Sequence, residues 1–163
     1  MQYQFPSSEW LQALKEKLNS DEKYAQIANK WEGEIVFWIE PGGPIDEIMI
    51  FFTDLWHGKC RDAYMVENEQ QLKELSPAYI LSSPYHSFVR ILKGQLDPMQ
   101  AMITRKLKVQ GSMGYMMRNV PTVLEFVRCA KEIETEFIAW VGELIAKRLY
   151  KASVTAWPTP IDL

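Results

Sequence analysis

Two histidines, two cysteines and a few clustered carboxylates are the residues of this chain suited to catalysis or metal binding. His57 and Cys60 lie on either side of Gly58, but zinc takes four ligands, usually in closely spaced pairs. The other histidine, His86, stands alone, so this group reads as a solvated turn rather than a metal site. Cys129 and His86 could meet in space as nucleophile and base. A lone cysteine on the apolar side of a helix, however, serves most often as a small core residue. Glu132, Glu134 and Glu136 alternate along a helix and read as solvated surface, as does Asp46-Glu47. The stretch Pro41-Gly42-Gly43-Pro44 lacks a phosphate-loop lysine and a following helix, which makes it a turn. These residues assemble no catalytic constellation and call for no metal and no cofactor. The chain reads as a binder.

Composition narrows the partners. The 163 residues are 47% hydrophobic and 24% charged, the balance of one globular domain. Net charge is −3 and the longest basic cluster is Lys147-Arg148, so nucleic acid is excluded as an expected partner. Cys60 and Cys129 are far apart without a CxxC spacing and are expected to be free thiols in a reducing compartment. The opening "MQYQFPSSEW" has no charged region followed by an apolar one, and no window approaches 18 uninterrupted apolar residues. A cytoplasmic protein with no transmembrane segment is expected, with membrane contact at most transient.

The elements follow from periodicity. Ser7 or Ser8 caps a helix whose Trp10, Leu11, Leu14 and Leu18 share a face. Asn19 and Glu22 have capping-box spacing for a second helix carrying Tyr24, Ile27, Ala28 and Trp31. Three β-rich runs follow, Glu34–Glu40, Asp46–Asp54 and Cys60–Glu67, separated by glycine and proline, as in an antiparallel meander. Their near-continuous apolar character predicts that both faces are largely covered. A polar stretch leads to a short strand at Tyr79–Leu81 and a helix opened by Pro84 and stopped by Gly94. Asp97-Pro98 starts another helix with Met99, Met102 and Ile103 on one face. Lys106–Gln110 alternates as a strand with Leu107 and Val109 inward. Ser112 then caps a helix with Met113, Met116, Met117 and Val120 at i, i+3, i+4 and i+7, before a break at Pro121 and a continued face at Val123, Leu124 and Val127. A last helix is predicted over Ile133–Tyr150, with an extended tail. The order ααβββ–β–αα–β–αα–α predicts an α+β domain with helices clustered around one mixed five-stranded sheet.

The run Gly94-x-Leu96-Asp97-Pro98, followed by Lys106-Leu107-Lys108-Val109-x-Gly111-x-Met113-Gly114, resembles the sterol carrier protein 2 (SCP-2) family. The resemblance extends from Trp10 to Ile133. It implies strand order 3-2-1-4-5 within the five-stranded sheet. Between the sheet and its helices, family members enclose an apolar tunnel for sterols, fatty acids, fatty acyl-CoA or phospholipids, with no active site of their own. Thr104-Arg105 replaces a common glycine, and Trp56-His57 is expected to enlarge the turn before Gly58. Residues 1–134 would form the lipid-binding domain and 135–163 a helical extension and tail packed on it.

On this reading the lipid is held by Phe88, Met99, Met102, Ile103, Met113, Met116, Met117, Val120 and Leu124 from the helices, and by Trp38, Ile50 and Phe52 from the sheet. Methionines are unbranched and re-pack around ligands of different shape, while Gly114 would let another backbone or a lipid chain come close. The expected function is non-enzymatic lipid binding, transfer or presentation. The alternative is an interaction or dimerisation module serving a partner enzyme, its pocket filled by its own side chains. An enzyme using Cys60, Cys129 or a histidine is the weakest third option.

Overall fold

The protein is described by a computed structural model covering residues 1–138 and 148–149. It opens with a short strand, β1 (Tyr3–Phe5), then α1 (Ser8–Ser20) and α2 (Glu22–Ile27). Ser7 caps α1 by accepting the Trp10 N–H at 3.0 Å. Asp21, not Asn19, caps α2, accepting the Tyr24 N–H at 2.8 Å. Asn19 is engaged elsewhere: its amide pairs with both backbone groups of Cys60, at 2.9 and 2.8 Å. The residue with capping-box spacing is thus taken by a different hydrogen bond, one that ties α1 to the sheet.

The meander is β2 (Glu32–Glu40), β3 (Met49–Trp56) and β4 (Lys59–Val66), antiparallel throughout. A short helix the polar stretch had concealed, α3 (Glu69–Lys73), precedes β5 (Tyr79–Pro84), which runs parallel to β2. Helices α4 (Tyr85–Leu92) and α5 (Pro98–Ile103) lead to β6 (Lys108–Gln110), antiparallel to β5. The sheet order β4-β3-β2-β5-β6 is the 3-2-1-4-5 order expected. Helices α6 (Met113–Arg118) and α7 (Val120–Lys131) close the structure over the sheet, and β7 (Thr135–Phe137) follows.

Two glycines have clear physical roles. The β3–β4 turn has positive φ at both His57 (47°) and Gly58 (79°), as tight hairpin turns require. A Cβ on Gly58 would lie 2.6 Å from the Ala25 carbonyl oxygen. The turn is not enlarged, because Trp56 remains in the ladder opposite Lys59. Gly111 has φ 134°, and a Cβ there would strike the Tyr79 ring at 2.4 Å. Gly114 is different: the Arg118 guanidinium (3.4 Å) and the Ser112 hydroxyl approach that position, and no backbone from outside its own helix does.

The C-terminal region departs from expectation at its start. Thr135–Phe137 is a strand, paired in parallel with β1 at Tyr3↔Thr135 and Phe5↔Phe137. Alternating Thr-Glu-Phe suits a strand as well as it suits a helix, and β1 supplies a partner far away in sequence. Beyond Ile138 the predicted Ile133–Tyr150 helix lies outside the described residues apart from 148 and 149. Val36, Phe52 and Thr53 are buried in the sheet, while Trp38, Ile50, Tyr64 and Ile80 are only half-covered. Apolar character on both faces thus gives unequal cover.

Candidate functional site

Strand alternation puts Ile35, Phe37 and Ile39 of β2 on one face of the sheet, with Phe51 and Leu55 of β3 and Leu81 of β5. These side chains form the floor of an internal cavity of about 90 Å³. Its walls are Trp10, Leu11 and Leu14 of α1, Phe88, Ile91 and Leu92 of α4, Met102 of α5, Met116 of α6, and Val123, Phe126, Val127 and Ala130 of α7. No charged side chain lines it.

Three polar tips of the lining are engaged outside it. Trp10 Nε1 donates to the Thr135 hydroxyl at 2.9 Å and Trp31 Nε1 to the Gly33 carbonyl at 3.0 Å. Thr122 Oγ1 donates to the Ile27 carbonyl at 3.3 Å. Such a space rewards methylene burial and penalises a bare charge. Ligand sites for small molecules usually measure about 300–1,000 Å³. A long acyl chain therefore needs these walls to move apart.

Three of the twelve residues expected to touch lipid line this cavity: Phe88, Met102 and Met116. The sheet residues Trp38, Ile50 and Phe52 fall on the opposite face. Trp38 pairs with Ile50 and Phe52 with Val36 across β2–β3, and Phe52 packs on Tyr64 at 4.8 Å. One residue of parity separates them from Phe37, Ile39 and Phe51, and in a run apolar on both sides nothing in the sequence fixes that parity. Met99 is half-buried against the core without reaching the cavity, and Val120 is also half-buried. Ile103, Met113, Met117 and Leu124 are exposed, at 67%, 38%, 46% and 42%. The methionine helix is only six residues long, and Asn119 resets the direction before α7. Of its stripe, Met116 alone turns fully inward.

The sequence reading also missed Phe126 of α7 and the aromatic side chains Trp10 and Trp31. The α1 stripe was visible as a core face, but nothing in it marked a cavity.

His57 is engaged at the surface and the two cysteines are buried in the core. His57 Nε2 sits 2.8 Å from Glu32 Oε1 at the surface and stacks on Trp56. His86 is exposed, whereas Cys129 is fully buried. Burial pushes the Cys60 thiol up to about 12 and the Cys129 thiol up to about 11. Neither is a ready thiolate at neutral pH. Among the described residues no group of three or more His, Cys, Asp or Glu side chains could hold a metal. No described helix is long and apolar enough to cross a membrane.

A polar clamp holds α7 in place. Arg128 meets Asp21 at 2.6 Å, Glu125 at 2.7 Å and Glu132 at 3.1 Å. Lys17 meets Glu132 at 2.6 Å and Asp21 at 3.5 Å, and Lys23 meets Glu125 at 3.2 Å. The hydrogen bonds from Arg128 and from the Tyr24 N–H hold the Asp21 carboxyl well below its usual range. The C-terminal half of the wall helix α7 is thereby fixed to the α1–α2 corner.

Comparison with known proteins agrees with this architecture. The family model of the SCP-2 sterol transfer family matches residues 11–123. A crystal structure of sterol carrier protein 2 superimposes with TM-score 0.69 at 27% identity, covering 78% of this chain and 97% of that one. The solution structure of a conserved hypothetical protein from Thermus thermophilus gives TM-score 0.70 at 26% identity, covering 80% and 90%. The sterol carrier protein domain 2 of Helicoverpa armigera shares the fold at TM-score 0.52 and 21% identity, covering 76% and 86%. No match was found among curated proteins. The chain belongs to the SCP-2 sterol transfer family.

Proposed function

We propose that this protein binds a lipid by its hydrocarbon portion in the cavity between sheet and helices and transfers or presents it without chemical change. The ligand class is fatty acid, fatty acyl-CoA, phospholipid or a sterol-like molecule. The observation that carries the reading is the uncharged and predominantly apolar lining of that cavity in an SCP-2 family chain. Phe88, Met102 and Met116 are the expected residues that keep a lipid-contacting role, joined by Phe37, Phe51 and Phe126. With no cation inside, affinity rests on methylene burial, about 0.8 kcal/mol per CH₂ before ordering costs. The buried thiols Cys60 and Cys129 are unpaired and fit a cytoplasmic setting.

Titration with fluorescent fatty acids from C8 to C18 tests the proposal. Affinity should rise steadily with chain length; equal affinity across the series would overturn it.

One observation favours a second reading. At about 90 Å³ the cavity is small, as in a module whose pocket is filled by its own side chains and whose work is dimerisation or service to an enzyme. Native mass spectrometry of protein purified from cells separates the two. Co-purifying lipid supports carriage, and a lipid-free mass under several expression conditions supports the module.

A further inference from the structure

The face of the sheet turned away from the cavity carries a pattern that lipid binding does not use. Register places Val36, Phe52 and Tyr64 in one row across β2, β3 and β4, and Trp38, Ile50 and Val66 in the next. Trp38, Ile50, Tyr64 and Val66 are only half-buried. The row on the other side of Val36 is acidic, with Glu34 opposite Asp54 and Asp54 opposite Asp62. Like charges directly opposite one another on a sheet are destabilising. Arg61 pairs with Asp54 at 3.0 Å, while Glu34 and Asp62 form no ion pair among the described residues. The Tyr64 hydroxyl registers the crowding: burial first, then Asp62, Asp54, Glu34 and Glu74 push it above its ordinary range. An apolar strip with an acidic end thus lies open on this face.

The complementary pattern lies in the same chain. Between Val141 and Lys151 the cations Lys147, Arg148 and Lys151 outnumber the single carboxylate Glu143. At helical spacing Val141, Leu144, Ile145 and Leu149 form one stripe, and Arg148, seven residues after Val141, falls within it. A surface that covers this stripe must offer apolar contact and a carboxylate together. The chain itself leaves the described part of the stretch uncovered: Arg148 is exposed, and Leu149 is 65% exposed. The two patterns also agree in length. The acidic row lies four residues from the Trp38 row, about 13 Å along the strand. Read as a helix, the stretch sets Arg148 and Lys151 about 11 and about 15 Å beyond Val141.

From this match we infer that the outer face of the sheet docks the 141–151 segment of a second copy of the chain. Apolar side chains of the segment cover Trp38 and Ile50, while Arg148 and Lys151 meet Glu34 and Asp62. Every chain carries both patterns, so a two-fold axis makes the contact twice and closes the pair. Opposite charges meet at both contacts, which favours this docking over one acidic face laid against another. The cavity lies on the other side of the sheet, so the association does not depend on lipid carriage.

Sedimentation velocity of the full chain over a wide concentration range tests the inference. A dimer is expected, weakening as salt rises. Arg148→Glu/Lys151→Glu and Glu34→Lys/Asp62→Lys should each weaken it by at least about tenfold, since attraction becomes repulsion at both contacts. Combining all these substitutions in one chain should bring the dissociation constant back to within about threefold of wild type. Such a rescue removes misfolding as the cause of the losses. A monomer at every concentration would overturn the inference, as would a dimer that neither variant weakens or that the combination fails to restore. Carbodiimide cross-linking covers another occupant: a bond between Lys151 and Asp62 within a monomer would give the face to the chain's own segment. A fatty-acid titration of Arg148→Glu/Lys151→Glu, expected to match wild type, keeps the two proposals apart. Dimers without fatty-acid binding remove carriage alone. Fatty-acid binding by a chain that is monomeric throughout removes the second copy alone.

Discussion

Neighbouring methionines in one short helix have opposite fates, which substitution can read directly. Met116 is fully buried against the cavity, whereas Met117 is nearly half exposed. Met116→Ala should destabilise the protein by about 2–5 kcal/mol, toward the lower end where the adjoining void already leaves some atoms without partners. Met117→Ala should stay within about 0.5 kcal/mol. Urea unfolding of both variants checks the contrast, and equal losses would mean that the helix is rotated from its described position. Arg105 offers a second case at this scale. It holds φ 60°, a left-handed conformation costing an ordinary side chain roughly 1–2 kcal/mol. Arg105→Gly should therefore raise stability by up to about 1 kcal/mol, with a higher urea midpoint as the readout. The turn keeps its left-handed geometry without the glycine that the SCP-2 resemblance led us to expect.

Elements were legible where a local signal had no competitor. The caps at Ser7, Asp97 and Ser112 and the meander agree between sequence and structure, while the strand order agrees with what the SCP-2 resemblance implied. Signals failed where partners lie far apart in sequence. Nothing near Thr135 announces a strand, because its ladder is with Tyr3–Phe5. The same pairing bears on where the C-terminal extension begins. Trp10 bonds to the Thr135 hydroxyl, Tyr85 Oη accepts the Ile138 N–H at 3.0 Å, and the N-terminal ammonium meets Glu134 at 3.2 Å. A chain cut after Ile138 should keep its fold, whereas one cut before Thr135 should lose several degrees in melting temperature. Equal melting of the two truncations would show that β7 is dispensable and that the extension starts at 135. The Arg128 clamp adds a pH dependence. Because folding depresses the Asp21 pKa, its contribution is complete above the ordinary carboxylate range, begins to fall as pH enters that range and is lost in full only below the depressed folded-state value. Arg128→Ala should cost about 1–2 kcal/mol near pH 7. The deficit should shrink toward pH 3 in parallel urea titrations, and one constant across pH would remove the clamp from the acid response.

For the whole molecule, fold and family were within reach of the sequence while the cavity's residues largely were not. A glycine such as Gly111, which cannot carry a Cβ beside Tyr79, marks the fold from a few positions. A cavity leaves no such mark, since its lining is chemically the same as packed core. Phe37 and Trp38 both suit an apolar strand, and only the assembled helices decide which of them faces inward. The same sameness governs how a ligand would enter. With about 90 Å³ open and no charged lining, the cavity is small for a long chain, so on the proposed reading its walls must part before one enters. Association of a long-chain fatty acid should then approach a plateau as ligand concentration rises, set by the opening rate rather than by encounter. Stopped-flow fluorescence over a wide concentration range would show the plateau. A rate that climbs linearly without limit would mean that the walls yield on contact with the lipid. Once bound, the ligand should stabilise the closed fold by mass action, about 2.7 kcal/mol at a hundredfold excess over Kd. Chain lengths that bind more tightly should raise the melting temperature further, which ties the kinetic gate to the equilibrium series in one set of samples.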